Sequence, residues 1–274
     1  MIPAETVRLF AQMMAREEHE ISLVDASLLI AKTEYPHLDL KAQRERFTRL
    51  ARELEAEPEY SPLTNIEALN DLLFRKEGFS GNEDDYDDPR NNFLNDVLDR
   101  KTGIPITLSV VYMELGQRHQ LPIQGVGFPG HFIVKYAWTS KDILIDPYHG
   151  GAILSRNDCA NLLKSHFRDD AELLPEYLAP STKKQILARM LNNLKSSFFR
   201  REQYDRVLTM VEMGLAIDPA SRQHVHDRGM VYFLLRRYAQ AAADLNAYLT
   251  FAPPDDPGVS SARSVLHRIR SLMN

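Results

Sequence analysis

Between Leu121 and Leu154 the apolar residues leave the helical spacing of the preceding segment and fall on a period of two. That short interval limits what the chain can fold into more than any other feature. Strands are expected around Ile123–Val126, His131–Ala137 and Ile143–Ile145, with a further one at Ala152–Leu154 after the Gly150–Gly151 turn. Just before them, Ile104 to Met113 is apolar nearly all round, as in a helix buried within a domain, and Pro105 suits its first turn. A buried helix against a small antiparallel sheet makes an α+β core. Within the interval, Gly125, Gly127 and Gly130 form a literal G-x-G-x-x-G. A phosphate-cradling loop must open a helix whose amides hold the anion. Here the run enters a strand in which Phe132, Val134 and Tyr136 alternate with His131, Ile133 and Lys135, which argues against a dinucleotide site.

The segment ahead of this core reads as helical. Val7, Phe10, Met13 and Met14 share one face of a helix from Pro3 to Arg16, and Ser22 caps a second helix that Pro36 stops. A third runs from about Leu40 to Ala56, and Ser61–Pro62 starts a fourth that Gly78 closes. Gly78 to Arg90 is an acidic loop lacking the D-x-D-x-D-G order of a calcium loop, so it is expected to be solvated. From Ser181 onward the chain repeats: Tyr204 and Tyr238, Leu215 and Leu249, and Pro219 and Pro253 each lie 34 residues apart. That period belongs to tetratricopeptide repeats, and a last helix from Ser260 to Met273 would cap the stack.

With 274 residues, 44% hydrophobic and 26% charged, the chain has room for one large domain and a smaller one. A formal charge of -5 argues against nucleic-acid partners, which demand a surplus of lysine and arginine. No apolar run is long enough for a membrane span, and Met1–Ile2–Pro3–Ala4–Glu5 lacks a basic-then-apolar signal pattern, so a cytoplasmic protein without membrane partners is expected. The single cysteine, Cys159, rules out an internal disulfide and fits a reducing compartment.

Asn91 to Gly151 carries Gly103–Ile104–Pro105, Leu121–Pro122, Gly125–Val126–Gly127–Phe128–Pro129–Gly130–His131–Phe132 and Asp146–Pro147–Tyr148–His149–Gly150–Gly151. This stretch resembles the transglutaminase-like core. The chain as a whole is most similar to the bacterial SirB family, where that core precedes a short tetratricopeptide tail and which is nominally linked to regulation of gene expression. The resemblance implies a transglutaminase-like domain with its helical N-terminal segment over residues 1–180 and a repeat tail over 181–274. In active enzymes of the superfamily a cysteine at the start of the buried helix is followed by His and Asp on successive strands, and His131 and Asp146 match the latter two. Counting back about four helical turns from Leu121–Pro122 puts the cysteine position at Pro105 or Ile106, neither of which carries a nucleophile.

Two hydroxyls and one thiol remain to be weighed. Thr107 lies about 200° around the helix from position 105, whereas Ser109 is about 40° off that face and about 6 Å further along. Ser109 could approach His131 or make a hydrogen bond inside the core, the second being expected because buried hydroxyls have partners. Cys159 follows both partners in the chain, near the start of a surface helix that could lower its pKa. No cofactor or metal site is expected: His224 and His226 sit two apart on a helix, and His119 and His149 read as surface or turn residues. The expected function is that of a non-catalytic pseudoenzyme binding another protein or peptide through the tail or a cleft in the core. The alternative is a hydrolase or acyl transferase on amide or ester bonds, using His131 and Asp146 with serine or water.

Overall fold

The computed structural model describes residues 3–138, 141–167 and 171–273. It divides into two compact units, one of residues Glu18–Met190 and one of Met1–Glu17 with Leu191–Asn274. After helix α1 (Ala4–Met14), the larger unit begins with α2 (Leu23–Lys32), α3 (Leu40–Glu53) and α4 (Pro62–Asn70). Each starts where a short polar side chain takes up orphan amides. Ser22 accepts from Asp25 N, Asp39 from Lys41 N and Ala42 N, and Ser61 from Thr64 N with Pro62 in the first turn. Beyond α4 the backbone widens into a π-helical turn, Asp71–Lys76, before Gly78 ends it with φ of 74°.

Next come β1 (Ser80–Gly81), a 3-10 turn (Pro89–Asn92), α5 (Leu94–Arg100), β2 (Thr102–Gly103) and α6 (Pro105–Arg118). Strands β1 and β2 pair in parallel. Along α6 the residues Ile106, Leu108, Val110, Val111, Tyr112 and Leu115 are all buried, the all-round apolar helix expected. It is followed by β3 (Ile123–Val126), β4 (Ile133–Tyr136), β5 (Ile143–Asp146) and β6 (Ala152–Leu154), an antiparallel meander in sequence order. Register is fixed by Val126 opposite Ile133, Val134 opposite Ile145, and Asp146 opposite Ala152. All of β4 is buried, Lys135 included, so the alternation in its sequence does not separate a wet face from a dry one. Lys135 Nζ is satisfied at 2.7 Å by Asp142. Ile133 and Leu144 pack with Cys159 and Leu163 of α7 (Arg156–His166) in one apolar cluster.

The division between units falls within α8 (Lys183–Arg200). The smaller unit then adds α9 (Tyr204–Ile217), α10 (Arg222–Leu234), α11 (Tyr238–Phe251) and α12 (Gly258–Met273). Its repeat is visible in the backbone: Glu202 and Arg236, one period apart, both turn left-handed, at φ of 55° and 59°. Gly229 allows α10 to approach α11, since a Cβ there would stand 2.8 Å from Leu245. Arg228 grips Asp244 with two hydrogen bonds of 2.7 and 2.8 Å. Ala241, Leu245, Tyr248, Ala262, Leu266 and Ile269 close the core between α11 and α12, as a capping helix should. Helix α1 packs on α9 and so groups with the C-terminal helices.

Candidate functional site around His131 and Asp146

The loop that delivers His131 is held by its own backbone and by neighbours. Phe128 N donates to Val126 O at 2.8 Å, His131 N to Phe128 O at 3.1 Å, and Arg189 Nη1 caps the same Phe128 carbonyl at 3.0 Å. Gly130 takes φ of 73°, while Cβ atoms at Gly125 and Gly127 would stand 2.9 Å from Phe132 and from Ser181. The three glycines therefore serve a crowded turn into a strand. On the neighbouring strand, Asp146 ends β5 and caps the single 3-10 turn Pro147–His149, its Oδ1 accepting from Tyr148 N at 3.0 Å. Gly151 N returns to Asp146 O at 2.9 Å, and Asn70 Nδ2 donates to Gly151 O at 2.9 Å.

His131 Nε2 donates to Asp146 Oδ2 at 2.9 Å, and His149 Nδ1 reaches the same oxygen at 2.8 Å. His131 and Asp146 are buried, with side chains 6% and 2% exposed, while the His149 side chain is 52% exposed. Burial drives the Asp146 carboxyl upward, yet the hydrogen bonds and charge of His131 and His149 more than offset it and hold it below the usual carboxylate range. Tyr148 sets its ring edge-on to His131, 6.0 Å between centroids, and its hydroxyl donates to Asn82 O at 2.9 Å. The arrangement orients an imidazole through one nitrogen, which is the positioning half of a general base.

The residues weighed for the nucleophilic half, Pro105, Ile106, Thr107, Ser109 and Cys159, are all buried. Pro105 and Ile106, at the start of α6, are buried and apolar. The Thr107 hydroxyl donates to Asn91 O at 2.8 Å and accepts from Ile104 N at 3.1 Å, so it serves the helix start. Ser109 is fully buried and its Oγ has no hydrogen-bond partner among the described residues, which corrects the expectation of a core hydrogen bond and also means it does not bond His131. Cys159 sits in the first turn of α7, but burial outweighs the helix terminus and pushes its thiol up to about 11.

Other sequence expectations divide. Most of the acidic loop is exposed, but Asp88 is buried and tied to Arg90 and Arg100. His119 is not a free surface residue: its ring lies 2.7 Å from Ala51 O and 2.9 Å from Ala56 O. His149 and Asn70 were missed as parts of the site. For His149 a signal existed, since Asp146–Pro147 followed by a glycine pair favours a tight turn that brings i and i+3 together.

Two of the concave surfaces bear on the site and the tail. In the larger unit a cavity of about 690 Å³ is lined by Pro129, Leu163, Phe167, Ala171, Leu174 and Tyr177, and neither His131 nor Asp146 lines it. In the smaller unit a groove of about 400 Å³ lies between α8, α9 and α10. Phe199, Val207, Met230 and Val231 form its apolar wall, with Phe199 51% exposed, and the Lys195–Asp227 pair at 2.6 Å lies along it.

Residues 41–192 match the transglutaminase-like superfamily and residues 194–274 match a tetratricopeptide repeat family. A UPF0162 protein of Xylella fastidiosa is 32% identical over 258 residues, covering 92% of both chains. A UPF0162 protein of Vibrio cholerae is 29% identical over 238 residues, covering 86% of this chain and 88% of that one. The human F-box only protein 21 is 25% identical over 234 residues, which are 81% of this chain and 35% of the human protein. The chain thus belongs to the transglutaminase-like superfamily, as a member of the bacterial UPF0162 group with a tetratricopeptide tail.

Proposed function

We propose that this protein acts by binding another protein or peptide in a regulatory, cytoplasmic role of the SirB kind, and that its core is a degenerate papain-like domain without acyl-transfer activity. The observation that supports the proposal is the chemistry at the start of α6, where Pro105 and Ile106, the positions counted for the nucleophile, are buried and carry no nucleophilic group while the chain's only cysteine is sealed in an apolar cluster. An oriented imidazole with nothing to deprotonate transfers no acyl group. His131 and Asp146 then serve to pin two strands. The binding surface is the groove of the tail, whose size suits one helix or extended segment anchored on Phe199 and Met230.

The competing proposal, a hydrolase using Ser109 or water, draws on one observation, the 2.9 Å bond that orients His131. Partner capture separates the two. Proteins crosslinked to the full-length chain in its host would be compared for the wild type, Phe199→Asp with Met230→Asp, and His131→Asn. Loss of the same partner in the groove variant and its retention in His131→Asn is the expected outcome. Retention in the groove variant with loss in His131→Asn would refute the proposal.

A further inference from the structure

We propose that His131 Nε2, Asp146 Oδ2 and His149 Nδ1 form a binding site for one divalent transition-metal ion of the zinc class. Such a site goes beyond the binding function above and does not depend on it. One donor atom from each of these three residues lies within 4.8 Å of the other two, and among the described residues this is the one group of three or more histidine, cysteine or carboxylate side chains so arranged. Orienting the imidazole of His131 takes a single acceptor. A second imidazole driven onto the same carboxylate oxygen adds nothing to that task, but two ring nitrogens and one carboxylate oxygen are a donor set that zinc and its neighbours accept.

The geometry needs little change. An ion about 2.0 Å from each donor sets the donors roughly 3.3 Å apart in a tetrahedron, against 2.8 and 2.9 Å for the two N···O distances here. The two N···O distances open by about half an ångström, the two ring nitrogens settle to the same spacing from a separation of at most 4.8 Å, and His149, half exposed on a single turn, is the side chain able to move. The frame around the site is already fixed. Asp146 Oδ1 is held by Tyr148 N at 3.0 Å, and Tyr148 ties the turn to Asn82 O. Asn70 holds the turn's far end through Gly151 O. Outer partners of this kind keep metal ligands oriented. The exposed side of His149 gives an ion its entry and leaves a coordination position for water. An ion at these atoms takes the lone pairs of His131 Nε2 and His149 Nδ1, each ring proton moving to the other nitrogen of its own imidazole, and neutralises the Asp146 carboxylate.

The test uses the full-length protein, stripped with a chelator and titrated with zinc by calorimetry, and in parallel with cobalt(II) by visible absorption. One ion per chain is expected, with ligand-field bands in the cobalt form. His149→Ala, whose fold is checked by thermal melting, should weaken binding by more than the roughly 10–100-fold cost of losing an outer-shell partner and should abolish the bands. His37→Ala with His267→Ala, both exposed, should bind as the wild type does. The proposal is overturned if no saturable site near one ion per chain appears, or if His149→Ala binds zinc as tightly as the wild type.

Discussion

Replacing Asp146 with alanine removes the acceptor of three donors at once: His131 Nε2, His149 Nδ1 and Tyr148 N. Their surroundings decide the cost. His131 is buried, so its ring N–H loses a partner that water cannot readily replace, at about 1–3 kcal/mol. His149 is half exposed and Tyr148 partly so, and each should lose about 0.5–1.5 kcal/mol. The total, roughly 2–6 kcal/mol, brackets the roughly 3–5 kcal/mol expected for breaking a buried pair from one side. With a urea dependence of about 3 kcal/mol per molar, the unfolding midpoint should fall by about 0.7–2 M. Trp138, the chain's only tryptophan, lies in the same unit 6.3 Å from the Tyr136 ring, so its fluorescence reports the transition. In a double-mutant cycle with His131→Ala, the combined cost should fall short of the sum by more than about 0.5 kcal/mol, because the two residues share one interaction. A folded Asp146→Ala protein whose midpoint lies within about 0.3 M of wild type would refute the assignment of the pair as a fastening between strands.

Three further outcomes are expected. Gly151→Ala should lower the melting temperature by about 5 °C or more, because φ is 76° there and the new Cβ would stand 1.9 Å from Asn70 Oδ1; an unchanged melt would contradict the packing of that turn. Cys159 in native protein should resist iodoacetamide at pH 8 and react fully in urea, as intact mass would show, since its thiol is buried and raised to about 11; rapid native labelling would contradict that burial. Asp227 is driven up by burial but held at about 2 by its contacts with His226, Lys195 and Gln223. Its folded value thus lies below the unfolded value near 4, so its stabilisation is complete above that pH and lost as pH falls toward 2. Asp227→Asn should cost on the order of 2 kcal/mol at neutral pH, and the gap should narrow between about pH 4 and pH 2. An equal gap at both ends, followed by far-ultraviolet circular dichroism, would contradict it.

What could be read in advance was what local chemistry dictates. Ser22, Ser61 and Pro62 announce helix starts without help from distant residues, and the 34-residue repeat places α9 and α11 because each period carries the same packing positions. His131 and Asp146 were visible because a glycine-framed turn and an Asp-Pro corner mark the ends of neighbouring strands. What escaped depends on contacts remote in the chain. The two-residue pairing of Ser80–Gly81 with Thr102–Gly103 has no pattern of its own, and α1 offers the same amphipathic face whichever helix it covers. The π-helical turn after Asn70 continues an apolar helical spacing and so looks like more α-helix. Burial of Cys159 and the absence of a partner for Ser109 are properties of the surrounding side chains, which periodicity does not record.

Whether the retained pair belongs to an acyl-transfer site is decided most directly by intact mass and turnover together. The full-length protein would be incubated with an activated ester and with a glutamine-containing peptide plus a primary amine, alongside His131→Asn. The expected result is no covalent adduct and no ester hydrolysis or amine incorporation above that of the variant. A stoichiometric acyl adduct on Ser109, or turnover that His131→Asn abolishes in a folded protein, would contradict a core that binds without catalysing.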